Sequence, residues 1–276
     1  MTKHDPSCAG RARPALGPAL GPALGSAFWG RAGGGRLTPV EQVRFALQCV
    51  IAQLQMQMRR CGALKGDMAR RWSRLDPDRI DLPDSPTVAR AHEMMEQSLP
   101  HWLCGHSLRT WSWAALLAQR DALRPDREIL AVSCLLHDIA LLPSSPAAAG
   151  LRCPCFAVEG GRRARRFLEA NGWDDDRALA VEDAICRHMN PQVGPGAGIE
   201  AHLLHEAAAL DVVGARISEI DAASKRTVAH RHPRQGFEQQ MCEALRQQAL
   251  RGSGTRTRLL WRMGFERAIR RSPWSA

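Results

Sequence analysis

The sequence contains no tyrosine and six phenylalanines, so its aromatic packing rests on eight tryptophans. No window offers the ~18 continuous apolar residues that a membrane-spanning helix requires. No run alternates apolar and polar residues with period two, so no strand is expected. There is no CxxC pair. The nine cysteines are scattered and odd in number, which argues against a disulfide framework and for a reducing compartment with free, mostly buried thiols. Cys153 and Cys155 lie close together, but no second pair completes a four-thiolate metal site. Several signatures of nucleotide and hydrolase chemistry are also missing: GxGxxG after a strand, GxxxxGK[ST], HExxH and GxSxG.

The chain does have enough apolar residues for a core. Its 276 residues are 45% hydrophobic and 24% charged, with a formal net charge of +10. Arginine is spread along the chain and concentrated near both ends, a pattern read as a basic surface. Nucleic acid and membrane are therefore not the expected partners. A small-molecule substrate, a cytoplasmic location and a homo-oligomer are compatible with this reading. Residues 1–36, with "ALGPALGPALGSA" and "GRAGGGR", are expected to form a disordered tail, because they offer little apolar surface to offset ordering entropy. Residues 37–82 are expected to hold an extra N-terminal helix and a connector. In "TPVE", Thr38 is a helix N-cap, Pro39 takes the first helical position and Glu41 completes a capping box. Val40, Val43, Leu47, Val50, Ile51 and Leu54 follow at helical spacing and predict a helix reaching about Arg60, and the Met–Gln alternation at 55–58 is read as a core or dimer face.

From Thr87 onward the pattern is helix after helix, giving an all-α fold: a helical bundle over 83–235 and a helical extension over 236–276. The helices expected are 87–98, 103–121, 126–142, 157–171, 176–189, 199–220, 235–250 and one near 255–270. Leu259, Leu260, Met263 and Phe265 are available to pack the last of them.

The stretch "SCLLHDIALL" places His137 and Asp138 at the centre of an apolar run. A carboxylate left unpaired in such surroundings costs several kcal/mol or more, so a partner is required. A buried His–Asp hydrogen bond, a helix end facing solvent or a divalent cation would each supply it. His106 and Asp211 are also ligand-type residues in strongly apolar helices. His188 sits one turn before a proline stop, and His202 and His205 share one helix face.

The ordered set His106, His137–Asp138 and Asp211 resembles the HD-domain superfamily of metal-dependent hydrolases. "HSLRTW", "CLLHDIAL", "AICRHMNP" and "LLHEAAALDVVGAR" are most similar to the subgroup that contains cyanamide hydratase. The resemblance implies an HD-type helical bundle with a divalent metal (Zn, Mn, Fe, Ni or Mg) held by His106, His137, Asp138 and Asp211. The first expectation is hydrolysis of a small polar substrate, a phosphoester, with the metal and Asp138 at the reacting centre. The alternatives are cyanamide hydratase-like nitrile hydration and a non-catalytic metal-binding regulatory protein. His188 and His205 are candidates for a second metal or for substrate. Glu159 is a candidate acid/base group or a helix-capping carboxylate. Arg109 is a candidate phosphate contact, a bridge to Asp138 or a surface arginine. Gly160 and Gly161 are read as a site of close helix packing.

Overall fold

Thr38 caps the second helix as its sequence requires. The Glu41 carboxylate accepts from the Thr38 backbone N–H at 2.8 Å, and Thr38 Oγ1 accepts from the Glu41 N–H at 3.3 Å. The computed structural model describes residues 22–60, 76, 80–142 and 153–274. Over these residues the chain is helical, with no strand. The α-helices are α1 (Ala27–Gly33), α2 (Pro39–Arg60), α3 (Pro86–Ser98), α4 (His101–Arg120), α5 (Arg127–Leu136), α6 (Phe156–Ala170), α7 (Asp175–Arg187), α8 (Ile199–Val213), α9 (Ala222–Arg231), α10 (Phe237–Arg251), α11 (Arg256–Arg262) and α12 (Phe265–Arg270). None of the described helices is long and apolar enough to cross a membrane.

The core forms where α4, α5, α7 and α8 meet, with α6 laid along α7. Helix α5 starts at Asp126, whose carboxylate accepts from the Glu128 and Ile129 N–H groups. Its residues from Ile129 to Leu136 are all buried. Helix α8 is buried along most of its length because α4, α5 and α7 pack against it and α12 touches it. The paired glycines of α6 have the packing role their spacing suggested. A Cβ on Gly161 would stand 2.8 Å from the Glu182 carbonyl oxygen, and one on Gly160 would stand 3.3 Å from the His137 carbonyl oxygen. Helices α10 and α12 close the bundle against α4 and α8. Leu259, Leu260, Met263 and Phe265 pack onto the core as expected. Seven cysteines of the described residues are free thiols, six of them buried.

Five expectations need correction. The tail does not extend to residue 36. Ser26 caps α1, Trp29 is buried, and the guanidinium of Arg256 stacks 5.1 Å from its ring; residues 1–21 lie outside the described ones. The helix expected over 126–142 ends at Leu136, where Ile139 N–H turns back to the Leu136 carbonyl and Leu141 N–H to that of Asp138. The helix expected over 199–220 stops at Gly214, which takes the left-handed conformation at φ 69°. The separate helix α9 follows, started by Asp221 as N-cap. The helix expected near 255–270 is two helices, broken at Gly264 with φ 92°.

The largest departure lies in α2. Its core-facing side chains are Phe45 and Cys49, whereas Val40, Val43, Leu47, Val50, Ile51 and Leu54 all face solvent.

Candidate metal centre

The early stop of α5 shapes the site. His137 takes the position after the last helical residue, and Asp138 enters the following turn. The imidazole and the carboxylate then converge, although adjacent residues of a continuous helix point ~100° apart. Helix α4 brings His106 to the same point. His106, His137 and Asp138 form the one group of three or more close metal-ligand atoms among the described residues, and all three are buried.

Each imidazole is held by its Nδ1. His106 Nδ1–H donates to Asp211 Oδ2 at 2.7 Å, His137 Nδ1–H to the Cys134 carbonyl at 2.9 Å, and His188 Nδ1–H to the Ile185 carbonyl at 2.6 Å. A neutral ring that donates from Nδ1 presents a lone pair at Nε2. His106 Nε2 and His137 Nε2 face each other at 3.1 Å. Asp138 Oδ2 lies 3.6 Å from the first and 3.4 Å from the second, and Asp138 Oδ1 lies 3.6 Å from His188 Nε2. Two facing lone pairs beside a buried carboxylate need a cation or a proton between them. Imidazole nitrogens with a carboxylate oxygen suit a borderline or hard divalent metal, so the donor set fits such an ion.

The electrostatics agree. Burial opposes a charge on Asp138, but His137, then His106 and His188, hold its carboxyl well below the usual carboxylate range. Burial also opposes a charge on His137, yet the Asp138 carboxylate outweighs it and raises the imidazole. His106 moves down, because desolvation outweighs its bond to Asp211. His188 is pushed down to about 3 by burial and by neighbouring His137.

Asp211 stands on the Nδ1 edge of His106, outside that group of three. Its Oδ1 accepts from Arg109 Nε at 2.9 Å, Trp113 Nε1 at 3.0 Å and Arg234 Nη1 at 2.7 Å, while its Oδ2 accepts from His106 and from Arg109 Nη2 at 3.0 Å. Burial works against this charge, and the two guanidiniums hold the carboxyl well below its ordinary value. A carboxylate on the far nitrogen of a ligating histidine fixes its tautomer and orientation. Arg109 is thus neither a surface residue nor a bridge to Asp138: it is 1% exposed, pairs with Asp211 and stacks 4.9 Å from the ring centre of Phe237. Arg234 and Trp113 were not anticipated, and no spacing in the sequence points to either.

The other candidates separate. His188 and His205 line a cavity of about 650 Å³ together with His106 and Asp138. His205 Nδ1–H donates to the His188 carbonyl at 3.1 Å, which steadies the turn that carries His188. His202 instead donates to the Val193 carbonyl at 2.6 Å. Glu159 pairs with Arg163 at 3.0 Å in the first turn of α6, away from the cavity wall, as a helix-start carboxylate does. Met56, Phe156, Val212, Met241, Leu245 and Met263 make much of the remaining wall apolar.

Residues 103–225 match the family model of the HD domain. The cyanamide hydratases DDI2 and DDI3 of Saccharomyces cerevisiae are each 32% identical to this chain over 114 residues, which is 40% of the chain and 49% of either relative. The chain thus spans about half the length of the curated relatives it matches. The buried His106, His137 and Asp138 cluster lies within the segment that matches the HD domain.

Proposed function

We propose that this protein is an HD-type metalloenzyme that adds water to a small neutral nitrile, as the names of its hydratase relatives suggest, and that it does not hydrolyse a phosphoester. The observation that carries this reading is the charge of the cavity wall. Arg216 is the one arginine or lysine among its described lining residues. It is already held by Asp121 at 2.9 Å, Glu219 at 2.8 Å and Glu206 at 3.4 Å. Arg109 and Arg234 are committed to Asp211. Among the described lining residues, no arginine or lysine is left without a carboxylate partner to grip a phosphate in the bidentate manner that phosphoester recognition favours. A neutral substrate asks for none.

His106, His137 and Asp138 would hold the metal, and Asp211 would fix the donor nitrogen of His106. The ion supplies positive charge that acidifies water and polarises the substrate. His188 is neutral near pH 7 and presents Nε2 toward Asp138. It accepts a hydrogen bond from the attacking water and sets its direction. The apolar residues of the wall lower the polarity around the cavity end, which strengthens charge interactions there. The water oxygen bonds to the nitrile carbon, one C–N π bond opens, and both water protons remain in the amide product.

The test is an assay of metal-reconstituted protein on cyanamide beside a panel of nucleotides and phosphomonoesters. Turnover of cyanamide with phosphoesters at background is expected, and the reverse pattern would overturn the proposal. Asp138→Ala should lose its metal and lower kcat/KM by more than the ~10–100-fold typical of an outer partner of a metal ligand. Full metal content and full activity in that variant would remove the site.

A further inference from the structure

We propose that α2 is a pairing surface for a second copy of this chain. Val40, Val43, Leu47, Val50 and Leu54 recur at alternating intervals of three and four residues. That is the seam of a two-helix coiled coil. Ile51 and Met58 widen the stripe. All seven are exposed, from 40% for Ile51 to 79% for Val40. The apolar residues of α5 from Ile129 to Leu136, by contrast, are all inside.

The extent of the stripe favours an interface over a chance patch. Seven exposed apolar side chains run contiguously along α2 from Val40 to Met58, whereas exposed apolar residues scattered singly are ordinary on a monomer. Charge points the same way. No acidic or basic residue stands between Arg44 and Arg59, whereas a lone solvent-facing helix keeps charges to stay soluble. A lipid-binding helix would interleave basic residues on its polar face. Here that side carries glutamines, and the inward face is committed to the core through Phe45 and Cys49. A seam of this spacing is complementary to itself, which is what a two-fold contact between identical protomers needs.

The same helix walls the cavity with Cys49, Ala52 and Met56. Pairing therefore braces one side of each cavity against the partner's helix.

Sedimentation equilibrium of the full-length chain tests the pairing. The wild type should be dimeric at micromolar concentration. Leu47→Glu and Val50→Glu each place a charge in the seam and should weaken association by at least ~100-fold. Leu250→Glu alters an exposed apolar residue of α10, 62% exposed and outside the stripe, and should leave the mass unchanged. Circular dichroism melts should show the glutamate variants folded, since neither side chain is in the core. A wild-type chain that stays monomeric to ~100 µM overturns the proposal. So does a dimer that persists in both seam variants, or one lost equally in Leu250→Glu. The wild-type concentration series decides the matter even if a variant fails to fold.

Discussion

Helices α2 and α8 are both rich in apolar residues, yet they meet opposite fates. In α8 ten of fifteen residues are buried, including Asp211 and His205. In α2 the apolar stripe faces water, and the core takes Phe45 and Cys49, with Met56 packed against it, from the opposite side. The difference lies in what stands beside each helix. Helix α8 is walled by α4, α5 and α7, whereas α2 rests on α11 along one side. Periodicity states which residues share a face. It does not state what covers that face.

The two regions can be pulled further apart by mutation. Arg109→Met removes one of the two guanidiniums that hold the buried Asp211 and should cost about 3–5 kcal/mol of folding stability, read by urea unfolding; a loss below ~1 kcal/mol would show that Arg234 and Trp113 suffice. Leu135→Ala, in a fully buried position of α5, should cost about 2–5 kcal/mol. Leu47→Ala should change the unfolding free energy of the dilute chain by no more than ~0.5 kcal/mol. Equal losses at positions 135 and 47 would mean that α2 is covered within one chain, and the comparison would fail.

Another expected effect is one of pH. Burial, followed by Arg109 and Arg231, pushes His232 from its ordinary 6.5 down to about 4. The folded state therefore binds this proton less readily than the unfolded chain. Its contribution is fully present above pH 6.5 and is lost as pH falls from there toward 4. Melting temperature followed over that window should fall less steeply in His232→Gln than in wild type. Parallel slopes would assign the acid sensitivity elsewhere.

The bundle and the centre of the site were legible because they break a local rule. His106, His137 and Asp138 are polar residues inside apolar runs of sequence, and a polar residue in such a place has to be accounted for. Their convergence also needed α5 to end at Leu136, which nothing in the continuous run "SCLLHDIALL" announces. The surroundings of Asp211 were illegible for a different reason. Arg109 lies 102 residues before it and Arg234 lies 23 residues after it, so only the folded chain brings them together. Helix α1 escaped notice because its glycines resemble those of a linker. One of them, Gly30, stands so close to Val158 that an added Cβ would lie 2.8 Å from Cγ1. That glycine serves packing, and composition alone cannot separate this use from flexibility.

The cavity has two origins. His106, Asp138 and His188 belong to the segment matched by the HD family, residues 103–225. Met56, Met241, Leu245, Met263 and Phe265 lie outside it. The donors His106 and Asp138 and this part of the apolar wall are thus carried by different segments of the chain. On the proposed reading, substitutions in α2 and α10–α12 would change what the cavity accepts and leave His106, His137 and Asp138 in place.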